Sequence, residues 1–184
     1  MSYKNENMKM IELHENGLDI QFRIRENGVV ELADFSSQEV KKAVMEPKDD
    51  ICYPAVEIHR SGTGSLNMHA YKNNINQSSV DFVYENHELK AQAGGKELEI
   101  VMISPEKLKA VYHMRLFDGV PAVQTWTEII NEGSEDQGLT YVSSFMYQGI
   151  SRGGEKLIIK KQISMCRLTA GAVRHSGRNT MQKR

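Results

Sequence analysis

The chain has 184 residues, a length that fits one domain with a buried core and leaves little room for a second domain. It carries 23 Lys and Arg residues against 24 Asp and Glu residues, so its formal net charge is −1. This balance gives no overall field toward nucleic acid or anionic lipid, and we expect neither as a partner.

The cysteines and the N-terminal residues indicate the compartment. Cys52 and Cys166 lie far apart and neither belongs to a CxxC pair, so neither a zinc knuckle nor a disulfide framework is expected. The N-terminal stretch "MSYKNENMKMIELHENG" is polar, unlike a signal peptide, and no run of 18 apolar residues occurs. We expect a cytoplasmic chain without a membrane partner.

The first strong pattern is an alternation of apolar and polar residues in 18–25, which predicts a strand with one solvent-exposed face. Its apolar members are Leu18, Ile20, Phe22 and Ile24. Asn27 and Gly28 follow, and this pair tolerates the positive φ angles of tight hairpin turns. Residues 29–35 are therefore predicted to fold back as the partner strand.

The rest of the chain up to residue 150 is also strand-like. Residues 36–48, closed by Pro47, have helical or loop character and are predicted to be a surface excursion. The strand-length runs that follow are residues 52–60, 78–93, 96–104, 107–119, 121–131 and 139–150, with turn signals at 94–95, 118–119 and 131–133. About eight strands with almost no amphipathic helix predict an all-β fold, an antiparallel sandwich in one domain.

Several predicted strands carry apolar side chains on both faces, and the run 107–119 is an example. Tyr112, Met114 and Leu116 share one face, and Val111 and Phe117 lie on the other. Burial on both faces predicts a large sandwich, or a sheet that also docks against another body.

Six histidines raise the question of a metal. His59, His69 and His87 occur with Glu57 and Glu88, but zinc ligands favour short spacings on one turn or helix, and these residues lie on different predicted elements. We expect ordinary histidines, no metal site and no cofactor.

Two further interpretations concern catalysis and sugar binding. Glu57 or Glu128 with a histidine could form an acid–base dyad of the kind sugar mutarotases use, although nothing local fixes the required hydrogen-bond geometry. Trp126, the single tryptophan, could stack on a sugar, but a lone Trp in a strand is more often part of the core. The core interpretation is favoured.

From Lys156 onward the alternation stops and basic residues accumulate. They are Lys160, Lys161, Arg167, Arg174, Arg178, Lys183 and Arg184. A nucleic-acid arm is one interpretation, but this segment has no aromatic residue that could stack on bases.

The stretch "LKAVYHMRLFDGVPAVQTWTEIINEGSEDQGLTYVSSFMYQGIS" resembles the N-terminal domain of the glycoside hydrolase family 36 α-galactosidases, or melibiases. The family pattern is a strand ending in "YDG.P", then "V.R.WTE..N.G", "L.Y.SSF...G" and Gly-Gly-Glu-Lys. The matching positions are Phe117 in place of Tyr, Asp118, Gly119, Pro121, Val123, Trp126, Thr127, Glu128, Asn131, Gly133, Leu139, Tyr141, Ser143, Ser144, Phe145, Gly149 and Gly153 to Lys156. The resemblance covers about residues 95–156 and is weaker upstream.

The resemblance implies a β-supersandwich of the galactose-mutarotase type, with Trp126 on a structural strand. The family cleaves terminal α-galactosides with retention, using two aspartates on a (β/α)₈ barrel that follows this domain. Such a barrel needs about 250 residues, so we expect none in this chain. No catalytic residue can be assigned, the substrate-binding residues are unknown, and the chain alone is expected to be inactive.

Family members continue past Gly-Gly-Glu-Lys into a stretch resembling "HVPHNSWCGEAQW". Reading residues 164–177 from the third base of each codon permits "HVPFNSWCGEAQW", and Met165 followed by Cys166 forces the valine. We therefore expect a domain at 1–156 and an out-of-frame tail at 157–184. The sheet surface meant for the barrel would be exposed, so a homo-oligomer is possible. The alternatives are a freestanding carbohydrate-binding sandwich and a mutarotase-like isomerase.

Overall fold

The computed structural model describes residues 9–37, 53–64, 68–69, 72–73 and 77–147. In chain order the elements are β1 Lys9–Glu15, β2 Leu18–Ile24, β3 Val30–Ser37, β4 Ile58–Arg60, β5 Met68–His69, β6 Lys72–Asn73, α1 Gln77–Val80, β7 Val83–Gln92, β8 Gly95–Ile103, β9 Leu108–Phe117, β10 Val120–Asn131 and β11 Leu139–Val142. All strand pairs are antiparallel, which confirms the predicted fold class. Within these residues no helix is long and apolar enough to cross a bilayer.

The N-terminal sheet has three strands in the order β1-β2-β3. The predicted hairpin at Asn27 and Gly28 is confirmed: Gly28 has a φ of 85°, and the Asn27 Oδ1 accepts a 3.1 Å hydrogen bond from the Val29 amide. Strand β1 was not predicted. Its buried residues Ile11 and Leu13 alternate with exposed residues, but two apolar positions among polar neighbours are too short a pattern to predict a strand.

The second large sheet has four strands in the order β10-β9-β8-β7. Its inner face joins the inner face of the first sheet in one hydrophobic core, so the sandwich is confirmed. The Phe22 ring meets the Tyr112 ring edge to face, with centroids 5.7 Å apart. Burial of Tyr112 raises the pKa of its phenol well above the usual value.

Short elements close one side of the core. Strand β4 pairs with β11, and the Ser79 hydroxyl accepts a 2.9 Å hydrogen bond from the Ile58 amide. Ser78 does the same for the Arg60 amide at 3.2 Å. The prediction of one strand over residues 78–93 was therefore wrong at its start, because these buried serines form a helical turn whose hydroxyls satisfy the β4 backbone.

Three other predicted segments differ from the structure or lie outside its described residues. Of the described residues 53–60, strand structure covers Ile58–Arg60, and of the described residues 139–147 it covers Leu139–Val142. Residues 38–48 of the predicted excursion, and the whole of the tail from 157, lie outside the described residues.

Asn16, in the β1–β2 turn, forms two hydrogen bonds with the β9–β10 hairpin. Its Nδ2 donates to the Phe117 carbonyl at 2.9 Å, and its Oδ1 accepts from the Gly119 amide at 3.0 Å. Asn16→Ala removes both bonds, so we expect the free energy of unfolding to fall by about 1–3 kcal/mol in urea titrations. Asn16 also has a φ of 52°, a conformation that Ala adopts poorly.

The control for Asn16 is Asn16→Gly, which keeps the backbone conformation and loses only the hydrogen bonds. We expect Asn16→Gly to retain part of the stability that Asn16→Ala loses. A loss below about 0.5 kcal/mol for both variants, the range of ordinary surface substitutions, would contradict the bridging role.

Candidate functional site

The outer face of the four-stranded sheet, on the side away from the core, carries a row of chemically active side chains. The strand register places Glu88 of β7 opposite Glu99 of β8, Glu99 opposite His113 of β9, and His113 opposite Trp126 of β10. Glu97 lies two residues before Glu99 on the same face. This arrangement, here called the His113 cluster, comprises Glu97, Glu99, His113 and Trp126.

His113 is the centre of the cluster. Its Nδ1 lies 3.0 Å from Oε1 of Glu97 and 3.9 Å from Oε1 of Glu99. Its ring stacks on Trp126 with centroids 4.6 Å apart and planes 4° from parallel. The side chain of His113 is only 9% exposed, and its Nε2 is buried without a hydrogen-bond partner among the described residues. The indole and the two carboxylates together fix the orientation of the imidazole.

Lys90 of β7 forms ion pairs with carboxylates at the edge of the cluster. Its Nζ lies 2.5 Å from Oε2 of Glu99 and 3.7 Å from Oε2 of Glu88. The hydrogen bond to Glu99 is the largest cause of a raised pKa for the Lys90 ammonium. Lys90 therefore stays charged at neutral pH and leaves Oε1 of Glu99 facing His113.

A second histidine–carboxylate pair lies on β4 and the residue before it. The His59 Nε2 is 2.8 Å from Oε1 of Glu57, and the His59 ring lies against Tyr141 with centroids 5.1 Å apart. The structure thus joins the predicted Glu57 to a histidine. For Glu128, on the outer side of β10, no hydrogen bond or ion pair with a histidine occurs in the described part of the chain.

The histidines considered as metal ligands are not brought together. His87 accepts or donates a hydrogen bond at Nδ1 with the Tyr84 hydroxyl at 2.8 Å, and its pKa is lowered by partial burial and by the nearby charge of Lys9. His69 lies on β5, and its side chain is outside the described set. Among the described residues, one group of His, Cys, Asp and Glu has the spacing of a metal site, and it is Glu97, Glu99 and His113.

The position of Trp126 differs from the prediction that this residue belongs to the core. It lies on a strand, as expected, but on the outer face and only partly buried, so the core interpretation was wrong. The inner face of β10 carries Val123 and Ile129, which pack against the core. Alternation then directs Trp126 away from the core, where the imidazole of His113 supplies its contact.

Other residues of the family pattern hold strands and turns together. The Thr127 hydroxyl donates to the Ser143 carbonyl at 3.0 Å, and the Ser143 Oγ accepts from the Glu57 amide at 2.7 Å. Asn131 accepts from the Gly133 amide at 3.0 Å and donates to the Glu135 carbonyl at 2.9 Å. These residues connect β10, β11 and the start of β4, which is a structural role.

Sequence reasoning missed Glu97, Glu99 and His113. The turn sequence "SPEKL" could have indicated them. A β8–β9 hairpin with its turn centred near Glu106 places Glu99 opposite His113. The alternation of "KELEIVMIS" then places Glu97 on the same face as Glu99. Long spacing along the chain concealed a short distance across strands.

The solved structures that are similar to this chain include two of the glycoside hydrolase family 36 α-galactosidase AgaA from Geobacillus stearothermophilus. A double variant in complex with raffinose gives a TM-score of 0.45 with 12% identity, over 68% of this chain and 22% of that one. The other AgaA structure gives a TM-score of 0.43 with 13% identity, over 69% and 23%. This chain therefore spans less than a quarter of their length. No family model and no curated protein matches the sequence.

Proposed function

We propose that this chain is the N-terminal β-domain of a retaining α-galactosidase of glycoside hydrolase family 36, and that it has no catalytic activity alone. The observation that carries the proposal is the order and spacing of the family pattern between residues 95 and 156, together with the β-sandwich that the described residues of the chain form. In this proposal the sugar substrate is a terminal α-galactoside, bound by the intact cytoplasmic enzyme.

The described carboxylates support a non-catalytic role. Retaining glycosidases place two carboxyl groups about 5–5.5 Å apart on opposite sides of the scissile bond. Glu97 and Glu99 are close enough, but they lie side by side on β8 and are engaged by His113 and Lys90. Neighbours on one strand face cannot enclose a glycosidic bond between them.

The domain boundary is part of the same proposal. Residues 1–156 form the sandwich domain, and residues 157–184 are an out-of-frame replacement of the family's continuation into the barrel. The compatible reading of residues 164–177 in the shifted frame supports this boundary. In this proposal a sheet face or edge that is exposed in the chain alone contacts the barrel, or a second copy, in the parent enzyme.

Hydrolysis assays test the absence of activity in the chain alone. We expect no release of nitrophenol from p-nitrophenyl α-galactoside and no cleavage of melibiose above the buffer blank, because a retaining mechanism needs two opposed carboxyl groups. Glu57→Gln and Glu99→Gln serve as matched controls, since each removes one histidine-bound carboxylate. Turnover that either substitution abolishes would show a catalytic site within this chain and overturn the proposal.

One observation favours a second candidate function, a freestanding carbohydrate-binding sandwich. Tyr141 is 49% exposed beside the His59–Glu57 pair, and an exposed aromatic ring next to polar groups can bind a sugar face. Calorimetric titration with galactose and melibiose separates the two candidates. The domain proposal expects no saturable heat, whereas saturation that Tyr141→Ala removes would favour the binding sandwich.

A further inference from the structure

We propose that the His113 cluster binds a divalent transition-metal ion, Zn²⁺ in the first instance, through the Nδ1 of His113 and the Oε1 atoms of Glu97 and Glu99. This differs from the expectation drawn from the sequence, where the histidines considered were His59, His69 and His87. The inference rests on three features of the outer sheet face and is independent of the proposed galactosidase role.

The first feature is the spacing of the three ligand atoms, which all lie within 4.8 Å of one another. Zn²⁺ binds His nitrogen at about 2.0–2.1 Å and carboxylate oxygen at about 2.0–2.2 Å, so tetrahedral ligand atoms lie roughly 3.4 Å apart. The Nδ1 of His113 is 3.0 Å and 3.9 Å from the two carboxylate oxygens, values on either side of that spacing. Small side-chain adjustments would admit the ion, with a solvent molecule as fourth ligand.

The second feature is the direction of the His113 imidazole, because the hydrogen bond between its Nδ1 and Oε1 of Glu97 already points this nitrogen at the carboxylates. When Nδ1 binds a metal, a neutral imidazole must carry its proton on Nε2. At most metal-binding histidines the remaining nitrogen is already committed to a hydrogen bond that sets the tautomer. Here Nε2 has no such partner among the described residues, and metal binding exchanges the 3.0 Å hydrogen bond between Nδ1 and Oε1 of Glu97 for a coordination bond.

The third feature is the support around the ligands. Trp126 fixes the imidazole plane by stacking, and Lys90 holds Oε2 of Glu99 while Oε1 faces His113. Glu88, Glu97 and Glu99 lie close together on β7 and β8, with Lys90 the cation that contacts this group. Arg115 lies opposite Glu97 in the strand register, so these three carboxylates face two cations and keep one excess negative charge. A divalent cation would offset that charge, and the partial burial of the cluster strengthens the attraction.

Trp126 makes the site directly observable, since it is the single tryptophan and stacks on the proposed ligand His113. The experiment titrates metal-free protein with Ni²⁺ or Co²⁺ and follows Trp126 fluorescence, with Zn²⁺ as competitor. Cys52→Ser and Cys166→Ser are present in every variant to remove thiol ligands. We expect saturable quenching at one equivalent, reversed by Zn²⁺.

Glu99→Gln and Glu97→Gln test the ligand assignment. We expect each to weaken the apparent Kd at least about tenfold, because even groups that only support a ligand are worth about 10–100-fold in metal affinity. His59→Gln is the matched control at the other histidine–glutamate pair and should leave the Kd unchanged. Circular dichroism confirms that each variant is folded, and either Glu variant suffices if the other does not fold.

Two results would overturn the proposal. One is quenching that does not saturate below about 1 mM metal, the range of weak surface binding. The other is an equal Kd in the cysteine-free parent chain and in its folded Glu97→Gln or Glu99→Gln variant, which would assign the ion to a different site.

Discussion

Replacing Phe22 by Ala is expected to lower the free energy of unfolding by about 3–5 kcal/mol, the range found when a buried aromatic side chain is truncated. Phe22 is fully buried, and its ring contacts Tyr112 edge to face between the two large sheets. Its removal leaves a cavity in the core where the sheets meet, and the rigid strands on either side can close it only in part. Urea denaturation followed by circular dichroism measures the change.

Leu89→Ala on β7 is the control for the Phe22 substitution. Leu89 is 44% exposed, so its truncation should change the free energy of unfolding by no more than about 0.5 kcal/mol. A Phe22→Ala chain within 1 kcal/mol of the wild-type stability would show that the two sheets do not pack through this residue.

Gly95→Ala is the second substitution with a large expected effect. A Cβ at Gly95 would lie 1.9 Å from the Leu116 carbonyl oxygen, and the φ of 159° adds strain for any residue with a side chain. The clash is with the β9 backbone, which cannot move without breaking the β8–β9 ladder. We expect a loss of about 3 kcal/mol in the free energy of unfolding.

The neighbouring Gly94 provides a matched comparison. It has a φ of 77°, but a Cβ there meets no atom within 4 Å. Gly94→Ala should therefore cost only the backbone strain of about 1–2 kcal/mol. Equal losses for the two variants would mean that the β9 backbone does not approach Gly95 as described.

Many strands of the sandwich could be predicted from local sequence patterns. The alternation of Leu18, Ile20, Phe22 and Ile24 and the Asn27–Gly28 turn predicted the β2–β3 hairpin, and both are confirmed. The helical turn at Ser78 and Ser79 was not predictable in this way. Its stability comes from hydroxyl contacts with β4, about twenty residues earlier in the chain.

The candidate site depends on register, which local patterns determine only in part. A tight turn at Asp118 and Gly119 pairs Phe117 with Val120, and the same register would place Trp126 opposite Val111. An irregularity between Val120 and Val123 shifts the pairing, so Trp126 lies opposite His113. The Trp126–His113 stack thus results from a bulge that the turn residues alone do not reveal.

We propose that this chain is one non-catalytic domain of a larger α-galactosidase, and sequencing of the source DNA tests that proposal. The reading should run from the codon of Gly153 through the next one to two kilobases. We predict that a shift of frame near Lys156 or Leu157 continues into a coding region for a (β/α)₈ barrel with two catalytic aspartates. A region without a barrel in any frame would contradict the claim and leave the sandwich as a protein that acts alone.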